Sequence, residues 1–281
     1  RTCLGCKWSP VQIGSPRPVK MPTILVTNDD GIYSPGIQIL AKTLKALGDV
    51  YIVAPDRERS AVSHSLTLHR PLHADEIKER VYSVNGTPTD CVNIGVNGIL
   101  KAKPDLVVSG INKGANMGDD ITYSGTVMAA IEARILGIPS FAISLVASEN
   151  YLFQESANFG LMLSKAMLTR GLPDDTLLNV NLPNLPLSVM KGVRITRQGK
   201  RIYGDVVTEI VDPRGKRHFW IGGNRLSWEK GEDTDFEAIH EGMISITPLH
   251  VDLTNYSAIE KLKPLEETLI SLIKTDKVLT E

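Results

Sequence analysis

Two adjacent carboxylates, Asp29 and Asp30, are the strongest chemical signal in the sequence. They follow an apolar run at residues 24–27 that is typical of a buried strand. Two carboxylates at one strand end repel each other and raise a pKa unless a cation lies between them. The simpler alternative is that they form a turn or cap a helix, as Asp-Gly pairs often do.

Further polar residues follow two other predicted strands: Ser60 comes shortly after one apolar run and Asn112 shortly after another. A parallel sheet brings such turns to one edge, where ligands bind. Two carboxylates with a hydroxyl and an amide oxygen suit Mg²⁺ or Mn²⁺ and leave positions for water and substrate. We therefore predict one divalent cation at Asp29, Asp30, Ser60 and Asn112. The lack of Cys and His in this set argues against zinc or copper.

A third group, Ser124-Gly125-Thr126, comes directly before a predicted helix. Small hydroxyl residues and glycine at a helix N-terminus present free backbone N–H groups to an anion such as phosphate. Asn116, in the glycine-rich stretch just before, can reach the same anion. Ordinary helix capping is the alternative. Neither a GxxxxGK[ST] loop nor a GxGxxG turn follows a strand, so the sequence supports neither a P-loop enzyme nor a dinucleotide fold.

These groups must be positioned by alternating strands and helices. The apolar runs predict strands at residues 24–27, 50–54, 81–84, 106–108, 141–143, 177–182 and 243–246. Helical spacing predicts helices at residues 35–47, 89–100, 125–136, 155–170 and 255–275. This alternation, with nearly continuous apolar strands, indicates an α/β fold with a mostly parallel sheet sandwiched by helices.

Two segments fall outside that core. Residues 206–211 and 218–221 flank a turn at residues 212–215, which predicts a C-terminal β-hairpin arm. We expect this arm, within residues 190–260, to serve oligomerisation. Residues 1–20 show no periodicity and are interpreted as a tail that is disordered or was added to the natural sequence, so the catalytic domain is predicted to span 21–281.

Composition excludes several partners. The chain has 31 basic and 32 acidic residues, so no basic excess favours a nucleic-acid duplex. No apolar run is long enough to span a membrane. Three cysteines give no disulfide framework and suggest a cytoplasmic location. The Cys3–Cys6 pair lacks the further ligands of a zinc site, and Cys91 is predicted to be a buried helix residue.

Six short blocks occur in one order along the chain: TNDDG at 27–31, VAPDRERS at 53–60, GTPTDCV at 86–92, VSGINKGANMG at 108–118, YSGTV at 123–127 and ISITPL at 244–249. In this order they resemble the SurE (survival protein E) family of nucleotidases, from Met21 almost to the C-terminus. The resemblance implies a Rossmann-like core, and a homodimer or homotetramer assembled through C-terminal elements. It also implies a metal-dependent phosphomonoesterase that acts on nucleoside 5′- and 3′-monophosphates. Some relatives also trim short polyphosphate.

The resemblance assigns the metal to the same four residues as the argument from strand ends. Asp30 is then the candidate for orienting or deprotonating the attacking water. The phosphate oxygens would be held by Asn116, Ser124, Gly125 and Thr126. His64 could protonate the leaving alkoxide, although a structural role is an equal alternative. Lys113 could neutralise phosphate charge or simply be solvated.

Two other classes of protein were weighed against this prediction. A receiver domain also places acidic residues after its first strand, but it needs a phosphorylatable Asp at a later strand end, where this chain has Ser109-Gly110. It would also be about half this length. A non-catalytic nucleotide sensor would keep the metal site without turnover. Phosphate release from AMP separates the sensor from the enzyme.

Overall fold

A computed structural model describes residues 21–203, 207–221 and 226–276. The predicted tail at residues 1–20 lies outside these ranges. The described chain forms thirteen strands and six α-helices. The strands are β1 Thr23–Thr27, β2 Asp49–Pro55, β3 Ala74–Lys78, β4 Val81–Val84, β5 Leu106–Lys113, β6 Ser140–Val146, β7 Leu177–Pro183, β8 Val193–Ile195, β9 Arg201–Tyr203, β10 Val207–Val211, β11 Arg217–Ile221, β12 Leu226–Trp228 and β13 Ile244–Leu249.

The helices are α1 Pro35–Leu44, α2 Pro88–Ile94, α3 Gly125–Ile135, α4 Phe153–Arg170, α5 Asp235–His240 and α6 Tyr256–Asp276. A π-helical turn, Gly95–Ile99, continues α2, and a 3₁₀ turn, Gly118–Tyr123, precedes α3. No helix among the described residues is long and apolar enough to cross a membrane.

Nine strands form one sheet in the order β3-β4-β2-β1-β5-β6-β7-β13-β8. The strands from β4 to β7 all pair in parallel. The edge strand β3 is antiparallel to β4, and β13 is antiparallel to β7. The predicted α/β fold with a mostly parallel sheet is therefore confirmed.

The sheet is covered on both faces because its strands are apolar on both. In β1, Ile24 and Val26 pack in the cluster that contains Ile37 of α1 and Ala157 of α4. Leu25, between them, packs in the opposite cluster with residues of α2 and α3. Successive side chains of a strand point to opposite faces, so an unbroken apolar run is buried only if both faces of the sheet are covered.

The predicted elements are present with shifted ends. Helix α1 ends at Leu44, before Gly48, and the helix predicted at 89–100 is divided into α2 and the π-helical turn. Strand β5 continues five residues beyond Val108, because Ser109 and Gly110 are buried in the sheet although they are not apolar. The sequence analysis did not predict the short elements β3, β8, β9, β12 and α5.

Two C-terminal elements, the hairpin β10–β11 and helix α6, are not part of the nine-stranded sheet. Strands β10 and β11 form the predicted antiparallel hairpin, with Val211 opposite Arg217 across the turn. Asp212 Oδ1 accepts the N–H of Arg214 at 2.9 Å and of Lys216 at 2.8 Å, which closes that turn. Helix α6 exposes apolar side chains along its length. Elements with so much uncovered apolar surface are suited to packing against another molecule.

Asp235, at the start of α5, joins the loop before β9 to the 3₁₀ turn that precedes α3. Its side chain is fully buried. Its Oδ2 accepts the N–H of Gly118 at 2.8 Å, and its Oδ1 accepts the N–H groups of Gly199 at 2.8 Å and Phe236 at 2.9 Å. A Cβ added at Gly118 or at Gly199 would lie within 2.8 Å of atoms of these neighbouring residues. The two loops can approach each other this closely because both positions are glycine.

We expect Asp235→Ala to lower the free energy of unfolding by about 3 kcal/mol or more, because three buried N–H groups lose their acceptor. Asp235→Asn keeps an oxygen that can accept two of the three bonds, so we expect a loss of only about 1–2 kcal/mol. Urea unfolding followed by circular dichroism measures both. Equal losses for the two variants would contradict this assignment.

Candidate active site

A cleft of about 300 Å³ lies where β1 and β5 end. It is lined by Asp29, Asp30, Glu58, Ser60, Ala61, Asn112, Lys113, Asn116, Asp120, Tyr123 and Ser124. All four residues predicted to bind the metal are among them. Of the four residues predicted to bind phosphate, Asn116 and Ser124 line the cleft.

Asp29 is buried against the N-terminus of α3. Only 6% of the residue is exposed, and its Oδ1 accepts a hydrogen bond from the hydroxyl of Thr126. The side chain of Ser124 caps the helix by accepting the N–H of Val127 at 3.1 Å. A Cβ added to Gly125 would lie 3.0 Å from the Cβ of Asp29, so glycine lets the helix end approach this carboxylate.

The pKa of Asp29 is raised to about 6, mainly by burial; the hydrogen bond from Thr126 opposes this shift and the negative charge of Asp30 adds to it. A carboxylate that is this deeply buried is costly to ionise without a compensating charge. In the metal-free protein that compensation is incomplete. Asp29 is therefore the residue of the cleft whose state depends most on a bound cation.

The carboxylate of Asp30 is held by Lys113, whereas that of Asp29 is held by Thr126. Asp30 Oδ2 accepts the backbone N–H of Lys113 at 3.3 Å, and Asp30 Oδ1 lies 4.0 Å from Lys113 Nζ. Burial raises the pKa of Asp30, the positive charge of Lys113 opposes this, and Glu58 adds to the rise. The predicted charge-neutralising lysine thus faces a carboxylate already present in the cleft.

Asn112 belongs to β5 rather than to the turn after it, and a bulge between Gly110 and Asn112 shifts the register against β6. Such a bulge changes the direction of the following side chain. Gly110 adopts a φ of +140°, and a Cβ there would lie 2.3 Å from the carbonyl oxygen of Ile143. Asn112 Nδ2 donates to the carbonyl of Gly114 at 3.0 Å, so its Oδ1 is the atom that could coordinate a cation.

Asn116 is fixed by two asparagines that the sequence analysis missed. Its carbonyl accepts the Nδ2 groups of Asn179 and Asn181 at 2.8 Å, and its N–H donates to Asn181 Oδ1 at 2.9 Å. Its own Nδ2 donates to Ser144 Oγ at 2.8 Å. The signal was present, since two asparagines in the otherwise apolar strand β7 must find partners once buried.

Ser60 is at the exposed side of the cleft, where its hydroxyl donates to Glu58 Oε1 at 2.6 Å. Glu58 and Asp120 are two further acidic residues of the cleft that the sequence analysis did not select. Asp120 forms an ion pair with Arg201 of β9. The described residues contain no group of three His, Cys, Asp or Glu side chains arranged to hold a metal. A cation in this cleft would therefore need neutral oxygens from Ser60 and Asn112 beside its carboxylates.

Three other candidates are placed outside the cleft. The hydroxyl of Thr126 is committed to Asp29, so the structure does not offer it to a phosphate. His64 is not among the residues that line the cleft, and its Nε2 lies 2.7 Å from Glu132 Oε2. Cys91 is a fully buried free thiol in α2, and burial raises its pKa well above the ordinary value, as expected of a core residue.

The fold and the cleft define an α/β protein whose ligand site lies at the carboxyl ends of parallel strands, with oxygen ligands on one side and a helix N-terminus on the other. The family model described as survival protein SurE matches residues 24–205. The chain belongs to this family.

Relatives and a solved structure resemble the chain over most of its length. It is 54% identical to the 5'-nucleotidase SurE of Syntrophotalea carbinolica over 85% of this chain and 95% of that protein. It is 55% identical to the 5'-nucleotidase SurE of Geobacter metallireducens over 85% of this chain and 96% of that protein. The crystal structure of the SurE protein from Aquifex aeolicus is 51% identical, covers 87% of this chain and all of its own, and superposes with a TM-score of 0.81.

Asp29→Asn tests whether the buried carboxylate is uncompensated in the metal-free protein. Because the pKa of Asp29 is raised from 3.8 to about 6 in the folded protein, folding binds a proton between these values and stability falls as pH rises through them. In EDTA at pH 7 the Asn variant should therefore be more stable than the wild type, by up to about 3 kcal/mol. Near pH 4 the difference should vanish. Thermal unfolding at both pH values measures this, and a less stable variant at pH 7 would contradict it.

Proposed function

We propose that this protein is a 5′-nucleotidase that hydrolyses nucleoside monophosphates to nucleoside and phosphate with one divalent cation, Mg²⁺ or Mn²⁺, per chain. The observation that carries the proposal is the convergence of Asp29, Asp30, Ser60 and Asn112 in one cleft beside the N-terminus of α3. The naming of relatives more than 50% identical as 5'-nucleotidases supports the reaction class.

The charge of the cleft favours a bound cation. Four carboxylates line it, from Asp29, Asp30, Glu58 and Asp120. Lys113 faces Asp30 and Arg201 of β9 pairs with Asp120, so the lining remains negative overall. A phosphate monoester carries negative charge and would be repelled by this lining. A divalent cation held by Asp29 and Asp30 removes that repulsion, and an all-oxygen donor set is what Mg²⁺ and Mn²⁺ prefer.

The residues divide the work on a phosphate monoester. When bound, the cation would polarise a phosphoryl oxygen and lower the pKa of a water molecule. Asp30, whose carboxylate contacts Lys113, would orient the attacking water and accept its proton, which would then be available to the leaving nucleoside oxygen. Ser124 and the backbone of Gly125 hold phosphate oxygens at the helix end, and Asn116 supports them from the opposite loop. Thr126 acts through Asp29 by fixing its carboxylate.

The range of substrates follows from the part of the substrate that the cleft binds. Its polar groups surround the phosphate and the cation, so we propose that 3′-monophosphates are also substrates and that short polyphosphate is a weaker one. A cytoplasmic location is part of this proposal, and it rests on the low cysteine content and the free thiol of Cys91.

Purified protein should release phosphate from AMP when Mn²⁺ or Mg²⁺ is added, and EDTA should abolish the release. Asp29→Asn and Asn112→Ala should each lower kcat/KM by about 100-fold or more, because each removes a ligand of the cation. Malachite-green detection across a panel of 5′- and 3′-monophosphates and short polyphosphates measures rate and scope together.

Asp75→Asn is the matched control, because Asp75 lies on the edge strand β3, is largely exposed and forms an ion pair with the exposed His73. Asp75 does not line the cleft, so this variant should retain full activity. If nucleotide binds but no divalent cation supports turnover, the enzyme proposal fails and the non-catalytic sensor takes its place.

We further propose that two or four chains assemble through the hairpin β10–β11 and helix α6. On α6 an apolar stripe recurs every three or four residues through Leu262, Leu265, Leu269 and Ile273, each about half exposed. Such spacing is typical of a helix that packs against another helix. Phe219 and Trp220 are similarly exposed on the hairpin.

Replacing both Leu262 and Leu269 by Glu should lower the mass in solution toward that of one chain, because a charge would be buried in each apolar contact. Light scattering after size-exclusion chromatography measures it. Glu266 and Glu267 lie on the same helix, and Glu267→Lys provides a control that should leave the mass unchanged. A wild-type protein that is already monomeric would contradict the assembly.

A further inference from the structure

The long loop between β2 and β3 carries Glu58 and Ser60 to the cleft, and His64 of the same loop contacts α3. We propose that His64 is a positioning residue: through Glu132 it fastens this loop to the helix whose N-terminus borders the cleft, and it does not donate a proton to the leaving group. Its consequence for catalysis rests on the proposed function, whereas its consequence for the loop does not.

The contact partner of His64 is a buried carboxylate on α3. Only 5% of Glu132 is exposed. Its Oε2 lies 2.7 Å from His64 Nε2, and its Oε1 accepts a hydrogen bond from Asn93 Nδ2 of α2. Asn97 Nδ2 donates to Asn93 Oδ1 at 3.2 Å and so orients that amide. A carboxylate buried to this degree needs polar partners, which gives the His64 contact energetic weight.

The residues between Ser60 and His64 adopt a strained backbone conformation, which needs stabilising contacts both before and after the segment. Ala61 and Ser63 have φ values of 55° and 54°, a left-handed conformation that is unfavourable for residues other than glycine. On the near side, the N–H of Arg59 donates to the carbonyl of Asp29 at 2.7 Å. The far side is where His64 lies.

Further contacts attach the far side of the loop, and two of them come from Thr67, whose N–H and hydroxyl donate to the buried carboxylate of Asp90 on α2 at 2.8 and 2.7 Å. The hydroxyl of Ser63 donates to the carbonyl of Thr122 at 2.7 Å, and its N–H donates to the carbonyl of Tyr123 at 3.2 Å. The carbonyl of Ser65 accepts the hydroxyl of Thr87 at 2.7 Å. All of these involve a backbone group or a small hydroxyl. The contact of His64 with Glu132 is the one that reaches a buried charged side chain of α3.

A proton-donating role fits these observations poorly. His64 does not line the cleft, and the ring nitrogen Nε2 is committed to Glu132. A glutamine at this position could donate its side-chain amide to Glu132 but could not act as an acid. His64→Gln and His64→Ala therefore separate the two roles.

The first test uses metal-free protein and needs no activity. Trypsin cleaves after Arg57 and Arg59, which lie in the loop, and cleavage requires the loop to open locally. We expect His64→Ala to accelerate cleavage at these sites by about tenfold, because one charge-assisted contact is lost. His64→Gln should stay within about twofold of the wild type, as should the control His73→Ala on an exposed pair near β3.

The second test compares two substrates. Loss of positioning should lower kcat/KM of His64→Ala for AMP and for p-nitrophenyl phosphate by the same factor, and His64→Gln should restore both. Loss of an acid would impair AMP hydrolysis in both variants but spare p-nitrophenyl phosphate, whose leaving group needs no protonation. That second pattern, or cleavage of the loop at an unchanged rate in His64→Ala, would overturn the inference. A wild-type protein without phosphatase activity would refute the proposed function while leaving the trypsin test intact.

Discussion

The burial of the Asp29 carboxylate against the N-terminus of α3 is the constraint on which the rest of the site depends. Gly125 permits the approach, and Thr126 supplies the hydrogen bond that keeps the carboxylate in place. Burial raises the pKa of Asp29 to about 6, so an ionised Asp29 needs positive charge nearby. The helix end provides a partial charge, and a divalent cation would provide the remainder.

The sheet turns this local constraint into a site. Strand β1 leads directly into Asp29, and its neighbour β5 carries Asn112 past a bulge to the same edge. Asn179 and Asn181 of β7 then fix the loop that contains Asn116. The positions of Asp29 and Asn112 are therefore set by parallel strand order, while loop residues such as Ser60 line the exposed side of the cleft. This division explains why short motifs far apart in sequence act as one unit.

Much of this arrangement could be predicted from residue types and spacing. Apolar runs of strand length identified the core strands, and polar residues after them identified Asp29, Asp30, Ser60 and Asn112. Other features depend on contacts between distant segments, which spacing does not encode. The hydroxyl of Thr126 looks like a phosphate ligand in sequence, yet it bonds to a carboxylate 97 residues away.

The short strands of the C-terminal part were missed for a related reason. They have three residues each, too few for an apolar pattern, and they form by pairing with other strands: β8 with β13, and β9 with β12. Glu58 and Asp120 were overlooked because charged residues in loops are usually solvated, and only the fold shows that they line the cleft. Local pattern thus predicted the scaffold, and tertiary contacts determined the detail of the site.

Binding of Mn²⁺ to the metal-free protein, followed by electron paramagnetic resonance, tests the central role of Asp29 most directly. The free aqueous ion gives a sharp signal that is lost on binding, so a titration counts sites without requiring turnover. The account predicts one site per chain in the wild type and, in Asp29→Asn, an affinity at least about tenfold weaker at neutral pH. Equal affinity in the two proteins, or no binding in the wild type, would contradict it.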